Sequence, residues 1–176
     1  MTTHCAVIAL AAALAQMLSG CGWAPLYADV ESGPASEELR AIKVDPIPER
    51  IGQQLEIALR NSLNPTGEPT TPRYRLSTAL AAVLSNLGIQ SQGLATLGQV
   101  DAIATYKLID LQNGTLLLTN TVHVANSFDL NPNQYSTIVG EDDARSRSVA
   151  ELDQEIVTRL TLFLQRRAVQ QSPKPG

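Results

Sequence analysis

The N-terminal segment from Cys5 to Leu18 is the feature that most limits what this chain can become. Its sequence, CAVIALAAALAQML, carries no charge. It is shorter than the roughly 20 apolar residues that a helix needs to span a bilayer. A short uncharged core at the start of a chain is typical of a secretory signal peptide. We therefore expect this segment to direct export and then to be removed.

The apolar segment ends in Leu18-Ser19-Gly20-Cys21, which resembles the lipobox of bacterial lipoproteins. In that motif small residues fit the signal peptidase beside the scissile bond, and the cysteine sulfur takes a diacylglycerol. The resemblance predicts a signal peptide over residues 1–20 and lipidation of Cys21. Two alternatives remain: an ordinary secretory signal with a chance cysteine, and a small apolar core helix.

Cys5 and Cys21 are the two cysteines of the chain. Everything after Cys21 therefore lacks disulfides, thiolate metal clusters and cysteine nucleophiles. Since stable anchoring needs about two acyl chains, a lipidated Cys21 would hold the protein on a membrane without a spanning helix. Position 22 is Gly, whereas Asp at this position retains many lipoproteins in the inner membrane. Resemblance to that sorting rule implies the outer membrane.

Length and charge exclude several classes of protein. The chain has 176 residues with 13 Lys+Arg against 17 Asp+Glu, a formal net charge of −4, which fits one compact domain. Charged residues are 17% and aromatic residues 4% of the chain. We expect no nucleic-acid partner, because neither a basic surface nor an aromatic stacking platform is available.

The residues after the signal divide into a tether, a domain and a tail. Residues 21–36 contain Pro25, Gly33 and Pro34 without an apolar period, which predicts a tether between lipid and domain. We expect the folded domain over residues 37–168 and a frayed tail over residues 169–176.

Hydrophobic spacing predicts the elements of the domain. Apolar residues recur at helical steps over 50–63 and again from about Gly140 to Ala168. In the second predicted helix, Glu141, Asp142 and Asp143 in the first turn and Arg166 and Arg167 in the last turn would complement the helix dipole. Alternation predicts strands over the other stretches. These are 39–44, a strand from Tyr74 to about Ser85, 100–110 and 115–128, with a Gly/Gln/Ser connection over 88–99 and a type I′ hairpin turn at Asn113-Gly114.

The predicted order is β-α-β-β-β-α. Each helix has one apolar stripe to bury, so both should pack on the same face of a four-stranded mixed sheet. The fold class is therefore α/β (α+β), a two-layer sandwich. Small, weakly polar residues occupy the outward strand positions, which suits either a docking face or an ordinary half-solvated sheet face. They are Ser77, Ala79, Ala81, Ser85, Thr115, Thr119, Thr121 and Ser127.

The sequence offers little for catalysis. His123 is the one histidine after the signal segment, and a strand histidine between two valines is far more often structural than a general base. No nucleophile elbow, zinc-binding pair, P-loop or dinucleotide-binding turn occurs. We expect no enzyme activity, no cofactor and no metal. A lipoprotein hydrolase using His123 is the enzymatic alternative.

Cys21-Gly22-Trp23-Ala24-Pro25-Leu26-Tyr27 resembles the C-G-[FW]-x-P-L-Y opening of alphaproteobacterial LPS-assembly lipoproteins, the LptE family. Later features are similar to the family as well. They are the helix over 50–63 with Gln54-Leu55, the Ala104-x-Tyr106-x-Leu108-x-Asp110 pattern before the hairpin, and Asp143-Ala144, Glu151-Leu152 and Ile156 in the last helix.

The resemblance implies two helices on a four-stranded sheet and a role as a plug inside LptD, a large outer-membrane β-barrel that delivers lipopolysaccharide (LPS) to the outer leaflet. It also implies basic residues that contact LPS. The β2–β3 connection over 90–99 has no Arg or Lys, so Arg145 and Arg147 near the start of the last helix are the candidates. The alternative function is an accessory lipoprotein of another envelope lipid-transport system.

Overall fold

The computed structural model describes residues 34–89, 95–130 and 132–171. The predicted signal peptide, Cys21, residues 21–33 of the tether and residues 172–176 of the tail lie outside the described residues. The elements are α1 (Pro34–Arg40), β1 (Ile42–Val44), α2 (Arg50–Leu63), β2 (Tyr74–Ile89), β3 (Ala95–Asp110), β4 (Leu116–Asp129) and α3 (Gln134–Gln171).

The four strands form one mixed sheet in the order β1-β2-β3-β4. β1 pairs parallel with β2, opposing Ile42 to Tyr74. β2 with β3 and β3 with β4 are antiparallel. The predicted fold class and the predicted order of two helices and four strands are confirmed. The parallel strands β1 and β2 are connected by the crossover helix α2, whereas hairpins connect β2 to β3 and β3 to β4.

The helices pack their apolar stripes on one face of this sheet. In α2 the stripe of Ile51, Leu55, Leu59 and Leu63 is buried as predicted. In α3 the predicted residues Val149, Leu152, Ile156 and Leu160 are buried too, and Phe163 is partly buried. The facing strand residues include Leu76, Ala102, Ala104, Tyr106 and Leu108, all fully buried. The core therefore lies between one sheet face and two helices.

Helix α1 was not predicted. The sequence predicts a tether over residues 34–36 and a strand from Leu39, but the chain is helical from Pro34 and the strand starts at Ile42. The alternation from Leu39 to Val44 fits a strand locally. Tertiary contacts favour the helix instead, because Leu39 is buried and Glu38 accepts hydrogen bonds from Tyr74 and Arg73.

The β2–β3 hairpin is longer than predicted. Both strands continue into the Gly/Gln/Ser stretch, and Ile89 still pairs with Ala95. A strand glycine normally weakens pairing because it has no side chain to pack. Here the ring of Phe128 covers Gly98, at 2.4 Å from where a Cβ would stand. Packing across the sheet therefore extends a strand that its composition disfavours.

The β3–β4 hairpin occurs where Asn113-Gly114 predicted it, but its turn is not type I′. Gly114 has a φ of 69°, whereas Asn113 is not among the residues with positive φ. The Gly114 N–H donates to Asp110 O at 2.8 Å, and Asp110 N–H donates to Thr115 O at 2.9 Å. The result is a four-residue loop over 111–114, with glycine at the position that requires the left-handed region.

Helix α3 begins at Gln134, six positions before the predicted start at Gly140, and ends at Gln171. Asn133 caps it, since its Oδ1 accepts the Tyr135 N–H at 3.1 Å. Glu141 and Asp143 therefore lie within the helix rather than in its first turn. They pair with Arg145 and Arg147 one turn later, which stabilises a helix interior. The assignment of these acids to the helix dipole was wrong.

Asp153 joins the two long helices and should cost stability at neutral pH. Its Oδ2 accepts the Ser62 hydroxyl at 2.7 Å, and Oδ1 has no partner among the described residues. Burial raises the pKa of this carboxyl, although the Ser62 bond partly offsets the shift. The pKa of this carboxyl is therefore higher in the folded than in the unfolded protein. The carboxyl stabilises the fold most at acidic pH, and this contribution is lost as the pH rises through the folded-state pKa.

We expect Asp153→Asn to raise the free energy of unfolding at pH 7 by roughly 0.5–1 kcal/mol, because the amide keeps an acceptor for Ser62 without a buried charge. The advantage should shrink at acidic pH, where the wild-type carboxyl is itself protonated. Thermal unfolding of both proteins at neutral and acidic pH measures this. A variant that is less stable at pH 7 would contradict the argument.

Candidate functional site: the open face of the sheet

The sheet face opposite the helices is uncovered in the described part of the chain. We call it the open face. Because side chains alternate along a strand, it is formed by the odd-numbered residues of β2, β3 and β4. They include Ser77, Ala79, Ala81, Val83, Ser85, Gln99, Asp101, Ile103, Thr105, Lys107, Thr119, Thr121, His123, Ala125 and Ser127, with Arg75, Leu87, Leu97, Ile109 and Asp129 towards the ends of the face. The outward positions predicted from the sequence lie here, apart from Thr115, which directly precedes β4.

The middle of the open face is apolar. Ile103 is 44% exposed and lies between Ala81 on β2 and His123 on β4. Val83 is 62% exposed beside it. Next to this centre the hydroxyls of Thr105 and Thr121 are 3.1 Å apart. Small side chains make the face flat, and its two basic residues, Arg75 and Lys107, balance the acidic residues Asp101 and Asp129. Such a surface suits close contact with another surface more than capture of a charged ligand.

Asp101 organises the polar side chains at one end of the face. Ser85 Oγ donates to its Oδ2 at 3.3 Å and Gln99 Nε2 donates to its Oδ1 at 3.1 Å. His123 Nε2 is 3.4 Å from the same Oδ1. Ser85 and His123 are on strands two apart, so their backbones are about 10 Å apart. The carboxylate lies between serine and histidine, so this arrangement does not pair a nucleophile with a base.

The two predicted LPS-contacting arginines point in different directions. Arg145 pairs with Glu141, with Nη2 2.6 Å from Oε1, and lines a cavity of about 530 Å³ beside Arg50, Ile138 and Asp142. Arg147 instead reaches β4. Residues two apart on a helix lie on opposite sides. Of the two predicted arginines, the structure therefore places Arg145 and not Arg147 at the cavity between α2 and α3.

Arg147 joins α3 to β4. Its Nη1 donates to Asn126 Oδ1 at 2.9 Å and its Nη2 to Ser127 O at 3.0 Å. Asn126 is buried, and its amide also donates to Ser148 and Glu151, each at 3.2 Å. These contacts satisfy a polar group that would otherwise be costly to bury.

Arg159 repeats this arrangement further along α3. Its Nη1 lies 3.1 Å from Asn120 Oδ1 and 3.2 Å from Thr121 O, while Glu155 accepts from its Nε at 2.7 Å. Neither the Arg147 nor the Arg159 contact was predicted from the sequence. Two asparagines at inward positions of a predicted strand, 120 and 126, were the available signal, because an inward amide needs a polar partner from the covering layer.

A third polar cluster holds α1 against the sheet. Glu38 accepts hydrogen bonds from the Tyr74 hydroxyl and the Arg73 guanidinium. The Arg73 guanidinium is 5.3 Å from the centre of the Tyr74 ring. Burial, followed by the bond to Glu38 and its charge, raises the pKa of Tyr74 to about 12. This cluster fixes the helix through which the predicted tether enters the domain.

None of the helices in the described ranges combines the length and apolar character required to cross a membrane. No protein-family model matches this sequence, and no curated protein matches it either. Solved structures do. A candidate lipoprotein from Caulobacter crescentus is 19% identical with a TM-score of 0.62, over 74% of this chain and 96% of its own.

Two further structures are similar at lower identity. A minor lipoprotein from Acinetobacter baumannii is 15% identical with a TM-score of 0.50, over 69% of this chain and 90% of its own. Uncharacterized lipoprotein B from Nitrosomonas europaea is 11% identical with a TM-score of 0.50, over 71% and 85%. At these identities the likeness is one of fold, and the chain shares its fold with bacterial lipoproteins.

Proposed function

We propose that this chain is an outer-membrane lipoprotein, anchored through Cys21 on the periplasmic face, that plugs and helps assemble the LptD β-barrel and so aids delivery of LPS to the outer leaflet. The observation that carries the proposal is the open face, a flat sheet surface with balanced charges and a central apolar patch, on a fold shared with bacterial lipoproteins. The resemblance of the N-terminal heptapeptide to the LptE family points to the same function.

The tether is long enough for this arrangement. Residues 21–33 separate the predicted acylated cysteine from Pro34, where α1 begins. An extended chain covers at most about 3.3–3.6 Å per residue, so this segment reaches roughly 45 Å. The lipid would therefore keep the domain close to the membrane while leaving it free to enter a partner's periplasmic opening.

The open face suits the inside of a barrel better than it suits lipid. Lumen walls of outer-membrane barrels are polar, and their strands alternate between lipid-facing and lumen-facing residues. Thr105, Thr119 and Thr121 offer hydroxyls that can exchange hydrogen bonds with such a wall. The small side chains around Ile103 permit close approach. A plug with this surface fills the lumen without requiring matched charges.

Affinity isolation of the acylated full-length protein in mild detergent tests the proposal. We expect a large β-barrel protein to co-purify. Photo-crosslinkers at Ala81 and Thr121 on the open face should link to that barrel, and Ile57, exposed on α2, is the matched position on the helical side. Isolation without any barrel protein would end the proposal. Crosslinks from Ile57 but from neither open-face position would reject the open face as the contact.

The alternative, an accessory role in another envelope lipid-transport system, predicts a different phenotype. Depletion should lower surface LPS if the chain serves the LPS translocon. A normal LPS level with altered distribution of another lipid would favour the alternative. His123→Ala separates both from a hydrolase, because that variant should retain the cellular role if no imidazole chemistry is involved.

Direct contact with LPS is proposed through Arg145, with Arg147 as the comparison. We expect Arg145→Ala to weaken LPS binding about fivefold, roughly the value of one charge-assisted hydrogen bond lost in part to competition from Glu141. Arg147→Ala should leave LPS binding unchanged but lower the melting temperature, because its guanidinium bonds to β4. A binding assay with purified LPS and thermal unfolding of both variants measure this, and equal effects on binding would contradict the separation.

A further inference from the structure

β2 is an edge strand over most of its length. β1 pairs only with Tyr74 to Leu76. Within the described residues no strand pairs with Ser77–Ile89 on that side. We call this stretch the free edge of β2. A long strand with an unpaired row of N–H and C=O groups is a template for pairing with another chain.

The contacts of β1 show which residues of β2 offer these groups. Tyr74 N–H donates to Ala41 O at 3.2 Å, and Leu76 O accepts from Asp45 N–H at 2.9 Å. Backbone groups of alternate residues point to the same side of a strand. The even-numbered residues therefore present N–H and C=O along the free edge. They are Thr78, Leu80, Ala82, Leu84, Asn86 and Gly88.

Side chains protect the opposite edge of the sheet, whereas none of the residues that the structure describes protects this one in the same way. On β4, Arg147 and Arg159 donate to the carbonyls of Ser127 and Thr121, and Asn120 Oδ1 accepts the Thr121 N–H at 2.8 Å. The free edge of β2 contains no charged residue and no proline, the residues that usually block edge pairing. Val83 and Leu84 on it are 62% and 46% exposed.

We propose that the free edge of β2 pairs antiparallel with the same edge of a second copy of this chain, about a two-fold axis at Val83. Val83 is the midpoint of Ser77–Ile89, so this register uses the whole free edge. Ser77 then opposes Ile89 of the second copy. Along the edge of β2 in each molecule, β1 lies next to the end of the β2 strand of the other copy. The two sheets become one continuous eight-stranded sheet.

The register is self-complementary, as a two-fold interface requires. Leu80 opposes Asn86 and Ala82 opposes Leu84, so edge-facing residues meet edge-facing residues and their backbone groups can bond. No charged side chain meets its own copy, because the strand has none here. A second copy supplies an unpaired edge of the same length and without charge, so every backbone group of the free edge meets a partner.

A cysteine at the axis tests the pairing. Val83 does not face the edge, so Val83 and its copy form a non-hydrogen-bonded pair with Cα atoms about 4.5 Å apart, within disulfide range. We expect acylated full-length protein carrying Val83→Cys to form a disulfide dimer under mild oxidation. The matched control is Ile103→Cys, exposed on the same face but one strand further in and opposite Ala81, where the two copies would be about 20 Å apart.

Ala82→Pro is the blocking variant. It removes an N–H that points to the free edge while leaving the ladder with β3 intact, since proline is tolerated on edge strands. Added to Val83→Cys, it should reduce disulfide dimer about tenfold, to the level of Ile103→Cys, because the paired geometry is lost. Leu84→Lys, at an already exposed side chain, is the second blocking variant, and circular dichroism confirms that each variant is folded.

Three results would overturn the proposal. The first is a Val83→Cys dimer no more abundant than that of Ile103→Cys. The second is a dimer that folded Ala82→Pro and Leu84→Lys variants leave unchanged. The third is a disulfide from Val83→Cys to a different protein, which would assign the free edge to another partner. None of these results bears on co-purification of a β-barrel, so this inference and the proposed function can fail separately.

Discussion

Replacing Cys21 with serine should release the protein from the membrane completely. The serine hydroxyl cannot take the diacylglycerol through a thioether, and residues 22–176 retain no other cysteine. Each buried methylene contributes about 0.8 kcal/mol to membrane binding, so losing all acyl chains removes the entire anchor. We expect Cys21→Ser in the soluble envelope fraction and the wild type in the membrane pellet, with mass spectrometry showing an acylated N-terminus only in the wild type.

Cys5→Ser is the matched control, since Cys5 lies in the predicted signal core. It changes the other cysteine of the chain and should leave the protein in the membrane pellet. Release of both variants, or retention of Cys21→Ser in the pellet after a high-salt wash, would contradict lipidation at Cys21. The second result would also remove the anchor from the proposed function.

Gly98→Ala should destabilise the fold by about 1–3 kcal/mol, the usual cost of overpacking a tight site. An added Cβ would stand 2.4 to 2.9 Å from three ring atoms of Phe128, whose side chain is only 6% exposed. The ring packs with Val100 and Ala144 in its own buried cluster. It cannot move away from β3 without losing those contacts, so the strain falls on the junction between the hairpin and α3.

Gly140→Ala is the comparison, because this glycine also faces Phe128 but at ordinary contact distance, 3.5 Å from its Cβ. Alanine in a helix interior is favoured over glycine by up to about 1 kcal/mol. We therefore expect Gly140→Ala to be neutral or stabilising where Gly98→Ala is destabilising. Urea unfolding of both variants measures the difference, and a Gly98→Ala protein as stable as the wild type would refute the packing argument.

The sequence predicted which residues form the open face, but it did not predict the contacts among their side chains. Alternation along β2 and β4 placed Ser77, Ala79, Ala81, Thr119 and Thr121 on one face, because a strand's side chains alternate whatever the partner strand is. The pairing of Ser85 and His123 with Asp101 depends on register across three strands, and a single strand's sequence does not specify that register.

The side-chain contacts of Arg147 on α3 were likewise not predictable from the sequence. Its position near the start of the last predicted helix favoured a role in ligand binding. The structure shows that its guanidinium also contacts Asn126 and Ser127 on β4, whereas Arg145 lies at the cavity. The helix period places the two residues on opposite sides, but only the docking of α3 on β4 decides which side is free.

Local patterns in the sequence were sufficient to determine the two helices with apolar stripes, the four strands, their order along the chain and the position of the Asn113-Gly114 hairpin. These depend on the period of buried residues and on turn residues, both of which act over a few positions. Helix α1 and the extension of the β2–β3 hairpin were decided by tertiary structure. Each is stabilised by a partner distant along the chain, Tyr74 for Glu38 and Phe128 for Gly98, and such contacts exist only once the sheet and helices have packed.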